Sequence, residues 1–72
     1  MTLQQLKYVI VIADSGSVNS AAKNLYLSQP SLSSAVRDLE EEIGFELFHR
    51  SNRGVTITAE GEEFLNYARQ VC

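Results

Sequence analysis

The 72-residue sequence predicts a mainly α-helical domain that carries one β-hairpin. Three observations lead to this fold class. Between Ser17 and Ile43, two apolar patterns of helical period lie end to end, separated only by the turn Tyr26-Leu27. From Phe45 to Ile57 the pattern becomes extended, broken by Ser51-Asn52-Arg53-Gly54, a turn rich in residues that tolerate positive φ. Before and after these stretches stand two further helical patterns, each with an N-terminal capping residue. A helix pair followed directly by a two-stranded hairpin is the arrangement of a winged helix-turn-helix. The expected fold is therefore three helices and a β wing, followed by one more helix.

Each element has its own local signals. Thr2 and Gln5 form a capping-box pattern ahead of Leu3, Leu6, Val9, Ile10 and Ala13, and Asp14-Ser15-Gly16 ends that helix. Ser17 caps a short second helix with Val18, Ala21, Ala22 and Leu25 on its apolar side, and the turn after it sends Leu27 into the core. Ser28 caps the third helix, Pro30 falls in its first turn where a missing N–H costs nothing, and Leu32, Val36, Leu39 and Ile43 recur along it until Gly44. Phe45 to Arg50 reads as the outgoing strand and Val55-Thr56-Ile57 as the returning one. Thr58 caps the last helix, which has Glu60 in its first turn, where the helix dipole favours an acid. That helix carries the stripe Phe64, Leu65, Ala68 and Val71 and reaches residue 72 without a stop signal, so the chain is expected to be part of something longer. The expected division is a winged helix-turn-helix over residues 1–57 and the start of a further helix over 58–72.

Composition narrows the function. The 44% hydrophobic content is ordinary for a globular protein and the 21% charged fraction too low for disorder. No run of roughly eighteen apolar residues exists to span a membrane. The run Tyr8 to Ala13 follows a single Lys and is interrupted by Asp14 before any cleavage site, so it reads as a buried helix of a cytosolic protein. One cysteine, Cys72, cannot form an internal disulfide, which fits a reducing cytoplasm. The single histidine, His49, has no neighbouring Cys or His to complete a metal site. With no paired carboxylates in an apolar setting either, no nucleophile–base arrangement suggests an enzyme.

The third helix presents the candidate site. Opposite its apolar side it leads with small hydrogen-bonding residues, Gln29, Ser31, Ser33 and Ser34, and then Arg37. A helix that begins with short donors and acceptors, braced by a shorter helix, suits the major groove of DNA. In that reading Ser28 is a cap, a phosphate donor or both, Gln29 reaches a base edge or phosphate, Pro30 offers apolar contact to a thymine methyl, and Ser33 follows one turn later. Arg37 either reaches phosphate or pairs with Glu41 on its own helix. Arg50 either contacts the DNA backbone or pairs with Glu40, and Arg53 at the wing tip reaches phosphate or a minor groove. The formal net charge of −3 opposes this reading, but the acids cluster at 38–46 and 60–63, away from Arg50 and Arg53. The alternative is a winged helix that serves as a protein-interaction or dimerisation module.

The ordered motifs resemble the N-terminus of LysR-type transcriptional regulators. They are Leu3-Gln4-Gln5-Leu6, Gly16-Ser17-Val18, Ala21-Ala22-Lys23-Asn24-Leu25, Leu27-Ser28-Gln29-Pro30-Ser31-Leu32-Ser33, Leu39-Glu40, Gly44-Phe45-Glu46-Leu47-Phe48-His49-Arg50 and Ile57-Thr58-Ala59-Glu60-Gly61. The resemblance covers essentially the whole chain. It implies a recognition helix over residues 28–43, a wing at 50–54, and a last helix that links and dimerises. On the residues alone, Phe64, Leu65, Ala68 and Val71 face either their own domain or a partner helix; the resemblance favours a partner helix. It also implies double-stranded DNA as partner, assembly as homodimers or tetramers, no cofactor in this segment, and a small-molecule effector bound by a separate C-terminal domain. Ser34 departs from the family pattern, where arginine is common, and a serine cannot make arginine's paired contact to guanine.

Overall fold

A computed structural model of the chain describes residues 1–52 and 54–71. The element order is α1 (Leu3–Ser15), α2 (Val18–Asn24), α3 (Gln29–Ile43), β1 (Phe48–Ser51), β2 (Gly54–Ile57) and α4 (Ala59–Val71). The strands pair antiparallel, from Phe48 opposite Ile57 to Ser51 opposite Gly54. This is the winged helix-turn-helix the periodicities predict.

The caps form as their spacing requires. The Thr2 hydroxyl accepts from the Gln5 backbone N–H while the Gln5 side chain accepts from the Thr2 N–H, so two orphan amides of α1 are satisfied reciprocally. Ser17 accepts from the Ser20 N–H, and Ser28 from the Ser31 N–H. Gly16 and Gly44 close α1 and α3 with φ of 71° and 87°, a left-handed conformation in which glycine has no Cβ to clash.

Buried side chains from three helices and the wing meet in one core. Val9 and Ile12 of α1, Ala21 of α2, and Leu32, Val36 and Leu39 of α3 are almost wholly enclosed, with Leu47 and Phe48 joining them. Full burial of each large aliphatic chain contributes about 1.5–3 kcal/mol. Leu27 packs partly buried against this core, as the turn reading requires. Among the described residues no helix is long and apolar enough to cross a membrane.

Two expectations are corrected. Regular pairing begins at Phe48, not at Phe45, because the backbone before it is already bonded elsewhere. The Leu47 N–H donates to Glu40 Oε2 (2.7 Å), the Leu47 carbonyl accepts from the Thr58 N–H (3.0 Å), and the Glu46 carbonyl accepts from the Thr58 hydroxyl (2.7 Å). The second correction concerns α4. Ala68 is fully enclosed within this domain, where α4 packs on α1, so it has no surface to give a partner. Phe64 and Leu65 are half-buried against the same core, and Phe64 meets Phe45 edge-on at 6.4 Å between ring centres. On that helix Tyr67 and Val71 are the large apolar side chains left exposed.

Candidate nucleic-acid interface

Helix α3 turns its apolar side into the core and leaves its leading turn in solvent. Gln29, Pro30, Ser31 and Ser34 are exposed, and Ser33 is half-buried toward the wing. Ser28 and Ser31 are coupled: the Ser28 hydroxyl accepts from the Ser31 N–H (3.3 Å) and donates to the Ser31 hydroxyl (2.8 Å). The Ser31 hydroxyl proton is thereby left for an outside acceptor. Pro30 needs no partner for its nitrogen in the first turn and offers its ring outward. No carboxylate lies on α3 before Asp38, so its first nine residues present only neutral polar and apolar groups and one cation, Arg37.

The wing stands beside this surface. Arg50, exposed on β1, lays its guanidinium across α3 and donates to Ser33 Oγ at 3.4 Å. An open groove runs between the two elements and the start of α2, lined by Ser17, Asn19, Gln29, Ser33, Arg50 and Asn52. The groove is mainly polar, with Val18 and Val55 also in its wall, and among the described residues it carries no acid. β2 is held to the rest of the domain at its first residues: the Val55 N–H donates to the Gly16 carbonyl (3.2 Å), and a Cβ on Gly54 would stand 2.7 Å from that same oxygen.

The sequence-predicted site residues fall into clear groups. Gln29, Ser33 and Arg50 converge on the groove, while Pro30, Ser31, Ser34 and Arg37 lie exposed along α3. Arg53 lies outside the described residues. The two ion pairs weighed as structural roles are absent among the described residues: Arg37 does not pair with Glu41, nor Arg50 with Glu40. The reason in the second case is that Glu40 Oε2 accepts from the backbone of Leu47 (2.7 Å) and Phe48 (3.4 Å). Both arginines thus keep their charge free of a carboxylate. Sequence reasoning named neither Asn19 nor Asn52 as a site residue: nothing in periodicity or capping marks Asn19, and Asn52 is marked only as part of the wing turn.

A helix-turn-helix whose second helix is solvent-facing and flanked by a cation-bearing wing defines the chain as a winged helix-turn-helix of the regulatory kind. Residues 3–62 match the family described as "Bacterial regulatory helix-turn-helix protein, lysR family", and the chain belongs to that family. It is similar to the HTH-type transcriptional regulator TfdT of Cupriavidus pinatubonensis (strain JMP 134 / LMG 1197), with 44% identity over 71 residues, 99% of this chain and 31% of that protein. It is 41% identical over 71 residues to the HTH-type transcriptional regulator ClcR of Pseudomonas putida, covering 99% of this chain and 24% of the relative. The chain thus spans roughly a quarter to a third of these curated relatives. Among solved structures, a CbnR_DBD-DNA complex superposes with a TM-score of 0.96 at 42% identity, covering 99% of this chain and 82% of that one. A BenM_DBD/benA site 1 DNA complex gives 0.93 at 38% identity, covering 99% and 80%.

Proposed function

We propose that the chain binds double-stranded DNA sequence-specifically and is the DNA-reading part of a LysR-type transcriptional regulator. One observation carries this reading: the leading turns of α3 expose Gln29, Pro30, Ser31 and Ser34 with no carboxylate among them, and Arg37 and Arg50 flank them with no ion pair to an acid among the described residues. Gln29 has donor and acceptor on one amide and suits a base edge; the Pro30 ring suits a thymine methyl. Arg37, Arg50 and Arg53 supply phosphate contacts, which set register rather than sequence. The crystallised DNA complexes of the CbnR and BenM domains support the assignment. As in the family, the whole protein acts in the cytoplasm as a homodimer or tetramer and answers a small-molecule effector held by another domain. Within this chain, Tyr67 and Val71, not Ala68, are the apolar side chains α4 offers a second copy.

The test is selection of bound duplexes from a random library at low salt, with affinities then measured by fluorescence anisotropy. Enrichment of an inverted repeat with T-and-A-rich half-sites is expected. Gln29→Ala should lower affinity for the enriched site about tenfold while leaving binding to random duplex unchanged, the equivalent of one lost base contact of about 1–3 kcal/mol. No binding at low salt would overturn the reading and favour a protein-interaction module.

A further inference from the structure

We propose that Glu40 is a positioning residue for DNA binding: its carboxylate ties the wing to the recognition helix and so places Arg50 as a phosphate-contacting cation. The inference rests on the DNA-reading function above. Glu40 Oε2 accepts from the N–H groups of Leu47 (2.7 Å) and Phe48 (3.4 Å), the last residue before β1 and the first within it. Seven residues earlier on α3, Ser33 Oγ accepts from Arg50 Nη1 at 3.4 Å. Residues seven apart lie two turns apart on the same side of a helix, about 10 Å along its axis. Phe48 and Arg50 are two residues apart on the four-residue strand β1, so fixing the Phe48 backbone also fixes where Arg50 leaves the strand. α3 and β1 are therefore laced at two points, with Glu40 the inner one and Ser33 the outer.

The two points differ in strength and in consequence. The Glu40 bonds are charge-assisted, part-buried and made to backbone, so they fix where β1 leaves the core. The Ser33 bond is long and exposed, made to a neutral hydroxyl, and engages one N–H of the guanidinium. The guanidinium's remaining donors stay open to phosphate. Were the Glu40 carboxylate turned to Arg50 instead, it would neutralise that cation. Spent on the wing backbone, it orients the arginine without cancelling it.

The geometry separates reach from charge. Glu40→Gln removes the negative charge but keeps a carbonyl oxygen at the same distance. Glu40→Asp keeps the charge but is one methylene too short to hold a 2.7 Å bond to the Leu47 N–H. If the role were only electrostatic, Gln would strengthen DNA binding and Asp would leave it unchanged. As a positioning residue, Gln binds at least as well as the parent chain, while Asp and Ala weaken it.

The experiment uses the 72-residue chain and a fluorescein-labelled 30-base-pair mixed-sequence duplex, with anisotropy titrations at several salt concentrations. Arg50→Ala should lower the magnitude of the log–log salt slope by about 0.9 per bound copy and weaken binding about eightfold at 0.1 M salt, the share of one phosphate contact. Glu40→Asp should reproduce most of that slope change, and Glu40→Asp with Arg50→Ala should bind no more weakly than Arg50→Ala alone. Amide hydrogen exchange at Leu47 should accelerate in Glu40→Asp and stay slow in Glu40→Gln. If Glu40→Ala fails to fold, the Asp–Gln contrast decides by itself. A normal slope in Glu40→Asp alongside a reduced one in Arg50→Ala would overturn the positioning role and leave the DNA reading intact. A normal slope in Arg50→Ala would instead overturn the wing's contact with DNA.

Discussion

Among the described residues Tyr26 is the one non-glycine with positive φ, at 57°, and its side chain is 95% exposed. The conformation follows from how α2 ends. The Leu27 N–H donates back to the Ala22 carbonyl (2.9 Å) and the Tyr26 N–H to the Lys23 carbonyl (3.2 Å), the two bonds of a Schellman motif. That motif puts a left-handed residue at position 26, where glycine is the usual occupant. A tyrosine with no packing in return carries the steric cost of that region, about 1–2 kcal/mol. Tyr26→Gly should therefore stabilise the domain by about 1 kcal/mol after glycine's entropy is charged, raising Tm by roughly 4–8 °C in a thermal melt. A lower Tm would mean the exposed ring is held by contacts of its own. Gly61 is the opposite case. A Cβ there would lie 2.3 Å from the Leu47 carbonyl and 2.9 Å from Ile57 Cγ1 and Thr58 Oγ1, so something must move. Gly61→Ala should cost about 3 kcal/mol in urea unfolding, at the upper end of overpacking losses. The close approach of α4 to the backbone before the wing explains the glycine at the end of the run Thr58-Ala59-Glu60-Gly61.

At the scale of elements, Thr58 joins three parts of the fold. Its hydroxyl accepts from the Gly61 N–H (2.8 Å) to cap α4 and donates to the Glu46 carbonyl (2.7 Å), while its own N–H donates to the Leu47 carbonyl (3.0 Å). Thr58→Val keeps the shape but removes the cap and leaves the buried Gly61 amide unpaired. A loss of about 2 kcal/mol is expected from denaturant midpoints. A loss below about 0.5 kcal/mol would mean that the backbone bonds alone seat α4. Such elements also mark where the sequence is legible. Thr2 with Gln5, Ser17, Ser28, Gly16 and Gly44 act within three or four residues of themselves, so spacing alone locates the five helix boundaries they make. The grip of Glu40 on Leu47, the contact of Gly54 with Gly16 and the burial of Ala68 against α1 join residues brought together only by folding. Periodicity assigns Ala68 correctly to an apolar stripe but cannot say which partner covers the stripe. The same limit made Glu40 look like an ion-pair partner of Arg50: opposite charges at the right separation are visible in a sequence, whereas unpaired backbone amides at the mouth of a strand are not. On the candidate site, exposed positions of α3 follow from its period, and the groove residues Asn19 and Asn52 do not.

For the whole molecule, the balance of nine acids against six Lys and Arg has to be reconciled with a polyanionic partner. The reconciliation is geometric. Arg50 lines the groove and Arg37 lies exposed farther along α3, neither in an ion pair among the described residues although a second hollow sets both beside Glu40, Glu41 and Glu46, whereas Arg69 pairs with Asp14 and the amino terminus with Glu42. The exposed acids Asp38, Glu41 and Glu42 occupy the far half of α3, Glu46 the segment before β1, and Glu60, Glu62 and Glu63 the start of α4, so none lies on the leading turns of α3. A charge-poor helix front with two or three cations at its margins gives affinity little help from counterion release. A dimer making about five phosphate contacts should show a log–log salt slope near −4.5, shallow for a DNA-binding protein. Anisotropy titrations on the enriched operator between 50 and 200 mM salt would measure it. A slope near −10 would require about eleven phosphate contacts, more than Arg37, Arg50 and Arg53 of two copies provide. Lys7 and Lys23 would then have to reach the duplex as well, which would set α1 and α2 against the backbone and rotate the docking away from the α3–wing groove. A shallow slope places the burden of specificity on the neutral groups of α3, and losses at Gln29 or Ser33 should then vary little with salt while losses at Arg50 shrink as salt rises.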